Sequence, residues 1–360
     1  MKILKTALAV ASFFCCALCC RAQALSVREL GFIFDKRLSA PLMGQDAAYS
    51  IYLGADESLW CFGDTVIADL KDGKEVLRAM PSSTSAIYRS SDIYSIKGNL
   101  EYIKDKDGLP AYTIPLGDML PYWHVRKYWP QHGVKVGAKV YLYYSIIQAF
   151  GTGGFDFAHI GQGLAVSDDG GRKFRQISLP CGYALWNDVE PAFGGAVYAS
   201  GDGWLYLYGR GLSAPGEYSL YLARVKEDSI EKPGEYFYFA GSKENVPAWT
   251  KNLLEAKPVL AQGQSELSVS RNEYLGGLLM LYSRLGSVEL RTARHPWGPW
   301  GEAVTAMQCK AAPGDTCYAA KEHFQYARDG GQKVFFSLVY GKTYIPEIFE
   351  LLLSPELRPR

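Results

Sequence analysis

Leu59-Trp60-Cys61-Phe62-Gly63 is a short apolar run, two of its residues aromatic, closed by glycine. The cadence returns as Tyr141-Leu142-Tyr143-Tyr144, Tyr206-Leu207-Tyr208-Gly209, Met280-Leu281-Tyr282-Ser283 and Val334-Phe335-Phe336-Ser337. With Phe62, Tyr143, Tyr208, Tyr282 and Phe336 as equivalents, the intervals are 81, 65, 74 and 54 residues. An extended segment and a Gly-containing turn precede each run. A third strand follows each, as Ser85-Ala86-Ile87-Tyr88, Gly163-Leu164-Ala165-Val166, Leu220-Tyr221-Leu222-Ala223, Val288-Glu289-Leu290-Arg291 and Ile348-Phe349-Glu350-Leu351. A unit of this size that recurs without helical periodicity predicts radially repeated sheets. The expectation is an all-β, five-bladed β-propeller, with four-stranded antiparallel blades around a central channel. The stretch from Val27 to Phe34 would complete the last blade as its outer strand. No linker or low-complexity tract divides the chain, so residues 25–360 read as one domain.

Composition agrees with that class. The chain carries 25 Tyr, 16 Phe, 8 Trp and 37 Gly, an aromatic and glycine-rich balance that favours strands and turns. Its 38 Lys+Arg nearly cancel 37 Asp+Glu. There is no electrostatic footprint for nucleic acid. Residues 1–24 read as a cleaved signal peptide: Lys2 and Lys5 precede an apolar run, and Ala22-Gln23-Ala24 is an A-x-A site. A secreted or periplasmic protein without a membrane span follows, and a lipid anchor at Cys20 fits less well. Once the leader is removed, Cys61, Cys181, Cys309 and Cys317 remain, and Cys309 with Cys317 would close a short disulfide loop.

Several chemistries lack their motifs. Gly341-Lys342-Thr343 has the tail of a phosphate loop, but Phe336 stands where its first glycine belongs. No G-x-S-x-G elbow or H-E-x-x-H helix is present. Ser167-Asp168-Asp169-Gly170-Gly171-Arg172-Lys173-Phe174 fits the Asp-box turn S-x-D-x-G-x-x-F, a structural device between outer strands.

In a propeller the starts of the innermost strands converge at one end of the channel. Asp46 lies 16 residues before Phe62, and Glu266 lies 16 residues before Tyr282, which sets two carboxylates at matching positions on non-adjacent repeats. Asp188 and Glu190 precede the third inner strand, and His132 and His323 stand at comparable places in the second and fifth. Paired carboxylates across a cleft are what glycosidic hydrolysis requires, one protonated to serve the leaving oxygen and one ionised. Crowding acids in a partly desolvated mouth separates their pKa values and permits that division. Trp123, Trp129, Tyr183 and Trp186 suit the apolar faces of sugars.

Asp46-Ala47-Ala48-Tyr49-Ser50 through Gly63-Asp64-Thr65 resembles the opening of a family long called a domain of unknown function, which includes endo-D-arabinanases. The likeness continues through Gly163-Leu164-Ala165-Val166-Ser167-Asp168-Asp169-Gly170, Glu266-Leu267-Ser268-Val269, Arg291-Thr292-Ala293 and Gly298-Pro299-Trp300. It implies a five-bladed propeller akin to arabinanase and fructosidase folds, with Asp46 as base and Glu266 as acid. It departs from related folds at His132, where an acidic residue often stands.

The expected activity is therefore hydrolysis of a furanose-rich or other extracellular polysaccharide by a monomer. The catalytic candidates are Asp46, Glu266, Glu190 and Asp188, and the sugar-binding candidates are Trp129, Trp186, His132 and His323. The alternative is a non-catalytic propeller that binds glycan or protein at the same mouth. No cofactor is required; an axial calcium-like cation would take oxygens from Asp46, Glu190 and Glu266, with His132 or His323 nearby.

Overall fold

A computed structural model describes residues 25–36, 39, 41–116, 126–151, 156–179 and 182–359. The leader, Trp123 and Cys181 lie outside the described residues. Among the described residues there is no α-helix, and no helix is long and apolar enough to cross a membrane.

Five antiparallel sheets follow one another along the chain. They open with the strands Tyr49–Gly54, Arg126–Val136, Ala192–Ala199, Leu267–Asn272 and Cys317–Glu322. The recurring aromatic runs form the second strands, Glu57–Phe62, Lys139–Ala149, Trp204–Ala214, Gly277–Arg284 and Lys333–Tyr340. Each pairs with its opening strand on one side and the expected third strand on the other. Two-residue turns close several of these hairpins. Ala55-Asp56 and Leu285-Gly286 both hold positive φ at each central position, the backbone that matches strand twist.

The second strands are apolar through their central residues, where neighbouring sheets cover both faces, and carry polar residues toward their ends. Leu59 packs with Leu142 and Tyr144 between the first and second sheets, while Trp60 and Phe62 pack with Phe335 and Ile348 between the first and last. Tyr143 meets Phe193 and Leu207, Tyr208 meets Leu267 and Met280, and Leu281 meets Phe336 and Phe349. Trp60, Phe62, Tyr143, Tyr208 and Phe336 are fully buried. Burial of each such side chain contributes roughly 2 kcal/mol.

The N-terminal strand Ser26–Phe32 pairs with Pro346–Leu352, with Val27 opposite Leu351, so it is the outer strand of the last sheet. The sheets are not uniform. Two strands, Arg175–Gln176 and Ala184–Asn187, share the outer edge of the second sheet. The third gains the hairpin Phe237–Lys243 and Val246–Thr250 and the strand Pro258–Leu260. A separate three-stranded sheet, Leu42–Gln45, Thr65–Lys71 and Lys74–Ala79, is inserted in the first repeat.

Two local expectations are met. Cys309 and Cys317 form a disulfide, and Cys61 is a buried free thiol. Asp169 accepts from the amides of Arg172 at 3.0 Å and Lys173 at 2.9 Å, while the Gly171 amide donates to the Ser167 hydroxyl at 2.9 Å. The Asp-box is thus a satisfied turn, remote from the channel acids in role.

Candidate active site

Asp46 sits in the turn between Leu42–Gln45 and Tyr49–Gly54. Its amide donates to the Asp64 carbonyl at 2.9 Å, and the Gly63 amide donates to the Asp46 carbonyl at 2.7 Å. A Cβ on Gly63 would lie 3.2 Å from Asp46 Cβ and 3.3 Å from its Oδ2. Glycine therefore lets the turn close on the carboxylate. Ala47, the next residue, has φ +57°, a costly conformation for a residue with a side chain.

Glu266 immediately precedes the inner strand Leu267–Asn272. The Ala319 amide donates to its Oε2 at 2.8 Å, and the Tyr49 hydroxyl donates to its Oε1 at 3.4 Å. Ala319 also has φ +57°, so a left-handed turn in the last inner strand points that amide at the acid. Asp46 receives the Tyr318 hydroxyl, but its buried Oδ1 has no hydrogen-bond partner. Burial, then the charges of Glu266 and Asp64, push the Asp46 carboxyl up to about 7. Burial also raises Glu266, opposed by the Ala319 amide, the Lys321 ammonium and the Tyr49 hydroxyl. The two acids interact directly through their charges.

Asp64 is the third acid, and its side chain is nearly buried. Lys127 Nζ lies 2.6 Å from its Oδ2, and the Trp129 indole donates to its Oδ1 at 3.1 Å. Lys321, fully buried, reaches residues of three other opening strands. Its ammonium donates to the carbonyls of Gln131 and, at 2.8 Å, Gly195, and stands 3.9 Å from the centre of the Tyr49 ring. These partners lie on the second, third and first inner strands, Lys321 lies on the fifth, and its field reaches Glu266 at the head of the fourth. Burial lowers Lys321 to about 7, against the attraction of Glu266.

Glu266 lines a cavity of about 520 Å³ together with Trp129, Gln131, His159, Gln162, Asp188, Glu190 and Arg210. The structure therefore brings Glu266, Asp188, Glu190 and Trp129 to one cavity. Glu190 Oε2 accepts from the Asn187 amide at 2.8 Å, an interaction that also closes its own turn.

Asp46, beside Glu266, does not line this cavity, and the remaining three candidates lie elsewhere. Trp186 is 3% exposed, packed against Phe193 and Tyr236, and its indole donates to the Tyr238 hydroxyl at 3.1 Å. It has no ring face to offer a sugar. His323 follows the last inner strand rather than starting it. Its Nδ1 lies 2.7 Å from the Ser50 hydroxyl and its ring 4.3 Å from Trp60, with no exposed surface. His132 lies within its strand, which begins six residues earlier at Arg126. It accepts from the Val197 amide at 2.8 Å, and lines a separate cavity of about 270 Å³ with Tyr52, Lys135 and Phe324. Burial lowers the proton affinity of both imidazoles.

The residues missed from sequence are Asp64, Tyr49, Tyr318 and Lys321. Asp64 and Tyr49 stood inside quoted motifs, while nothing in Tyr318-Ala319-Ala320-Lys321-Glu322 marks its lysine as buried.

Comparison with solved structures shows the same architecture. The chain matches a protein of Bacteroides ovatus ATCC 8483 with TM-score 0.63 and 14% identity, over 87% of this chain and 86% of that one. It matches the GH43_1 enzyme of Xanthomonas citri with TM-score 0.51 and 15% identity, over 92% of both chains. A third match is CoXyl43, a GH43 β-xylosidase/α-arabinofuranosidase from a compost microbial metagenome solved with xylotriose. There the TM-score is 0.52 at 15% identity, over 92% of this chain and 97% of that one. The last two are GH43 enzymes, and the likeness to all three is one of fold. No curated protein matches the chain. The sequence profile described as Domain of unknown function (DUF4185) covers residues 39–344, and the chain belongs to that family.

Proposed function

We propose that this protein is a secreted glycoside hydrolase that cleaves a furanose-rich or other extracellular polysaccharide with a pair of carboxyl groups, Asp46 and Glu266. The observation that carries this reading is the coupled, desolvated pair itself, one member with an unpartnered buried oxygen and the other lining a polar cavity with an aromatic wall. The five sheets are read as five blades of one propeller, because the last packs on the first as each packs on the next.

The division of labour follows from the partners. Three donors face Glu266, the Ala319 amide, the Tyr49 hydroxyl and the Lys321 ammonium, and all favour its ionised form. Asp46 has fewer donors and two acidic neighbours, so the shared proton resides there. Asp46 then protonates the leaving oxygen, and Glu266 acts as the carboxylate toward water or the sugar carbon. This reverses the roles that the family resemblance implies.

The axial position suits an ammonium rather than a metal. Lys321 already occupies it, and no group of three or more His, Cys, Asp or Glu among the described residues is placed to hold an ion. We assign the stabilisation of the Glu266 carboxylate to the Lys321 ammonium.

One observation favours a second reading, a mouth that binds glycan without cleaving it: both Glu266 oxygens already accept hydrogen bonds. Assaying the purified protein for reducing ends released from a panel of polysaccharides separates the two. Release from a furanose-rich polymer is expected. Tight binding of the same polymers with no release would establish the second reading.

A further inference from the structure

The cavity beside Glu266 holds more hydrogen-bond donors than the protein satisfies. Arg210 enters it from the strand Trp204–Ala214, half-buried, with its guanidinium 3.4 Å from the centre of the Tyr218 ring. Its buried Nε has no hydrogen-bond partner. Among the described residues Arg210 forms no ion pair, although Asp188, Glu190 and Glu266 line the same cavity. Gln162, fully buried, lines it too. Its Oε1 accepts from the Ser145 hydroxyl at 3.1 Å and lies 3.3 Å from His159 Nε2, while its Nε2 has no partner. Two orphaned donors, one of them on a guanidinium that pairs with none of the acids around it, are unfavourable unless a ligand supplies acceptors.

We infer that this cavity is a subsite for a carboxylate-bearing sugar, a uronic acid unit of the glycan, with Arg210 and Gln162 donating to the carboxylate. The proposal rests on the glycan-cleaving reading for the identity of the polymer, and it adds the class of sugar. A carboxylate is preferred to a sulfate ester on geometry. It is planar, and Arg210, fixed flat on Tyr218, presents a planar fork that meets two oxygens at once. Desolvation already holds Arg210 below its usual proton affinity, consistent with a cation awaiting an anion. The neighbouring Glu266 lies close enough for the uronate to occupy a position adjoining the reacting sugar.

The test measures affinity without turnover. Ligand-observed NMR titrations of the mature protein at low salt would use D-galacturonate, D-glucuronate, D-galactose, D-glucose and galactose 6-sulfate. Expected is at least a tenfold lower Kd for a uronate than for its neutral parent, abolished in Arg210→Gln and weakened several-fold in Gln162→Leu. Should Arg210→Gln fail to fold, Arg210→Lys keeps the charge without the fork, and a several-fold loss is expected. Equal affinity for uronates and neutral sugars, or an undiminished preference in the folded Arg210 variant, would overturn the subsite. Stronger binding of the sulfated sugar than of galacturonate would overturn its assignment to a carboxylate. Because monosaccharides are not cleaved, a protein that discriminates uronates yet releases no reducing ends would refute the hydrolase reading and leave the subsite standing.

Discussion

The ammonium of Lys321 stands over the face of the Tyr49 ring, 3.9 Å from its centre, and the Tyr49 hydroxyl in turn donates to Glu266. A buried cation thus reaches a carboxylate through its field, while an aromatic ring shares the charge and a hydroxyl fixes the acid in place. Lysines are rarely fully buried, and this one is held by carbonyls from two further strands.

Lys321→Met removes the charge and leaves the Gln131 and Gly195 carbonyls without a donor. Stability should fall by about 3 kcal/mol, read from urea unfolding. Glu266 would also lose its stabilising cation, so the acidic limb of the pH–rate profile should move to higher pH. An unmoved limb in a folded variant would remove Lys321 from the electrostatic account.

Asp46→Asn separates stability from activity. The folded carboxyl titrates at about 7, against about 4 in an unfolded chain. Between those values the folded state binds more protons, so this group's contribution to stability falls as pH rises from about 4 to about 7. Asparagine carries no such penalty. The variant should match the parent near pH 4 and exceed it by roughly 1–3 kcal/mol at pH 8, as measured by thermal unfolding across pH.

Asp64→Asn removes a like charge beside Asp46 and frees Lys127. Both changes lower the proton affinity of Asp46, by on the order of one pH unit. Carboxyl-carbon NMR of labelled aspartate would show it as an earlier titration. An upward shift would contradict the arrangement described here.

Much of this was legible before any coordinates. Recurring aromatic runs located the second strands, because the part of a strand covered on both faces is mainly apolar. Val27 to Phe34 was readable as an outer strand from its extended, partly apolar pattern. The extra strands of the third sheet were not, since Glu217–Lys226 carries no mark of how many partners it takes. Equal spacing singled out Asp46 and Glu266, which the fold sets within range of each other's charge. It misplaced His132 and His323, because strand starts shift by several residues when turns differ in length. Trp186 showed the limit of composition: an indole before an inner strand reads alike whether it faces a sugar or a neighbouring sheet. Lys321 was missed because its partners are backbone carbonyls, which leave no trace in side-chain pattern.

The tryptophans give a paired test. Trp186→Ala should cost about 3–5 kcal/mol of stability while leaving saccharide affinity per folded molecule unchanged. Trp129→Ala should weaken saccharide binding with a smaller loss of stability. Interchanged outcomes would mean that the sugar-facing wall lies elsewhere.

The disulfide joins Cys309 to the first residue of the last inner strand, two residues before the Ala319 amide that holds Glu266. Closing so short a loop stabilises by roughly 2–3 kcal/mol. Reduction should lower the melting temperature and expose two further thiols to alkylation, with Cys61 unreactive until unfolding.

The claim that Asp46 and Glu266 act together is tested most directly by kcat/KM for the parent, Asp46→Asn and Glu266→Gln. The assay uses the responsive polysaccharide and an aryl glycoside of the same sugar with an activated leaving group. Each variant should lose on the order of 10²–10⁴ in rate on the polymer. Asp46→Asn should recover much of that loss on the activated substrate, which needs no acid, and Glu266→Gln should not. Parent-like rates on the polymer in either folded variant would contradict the account.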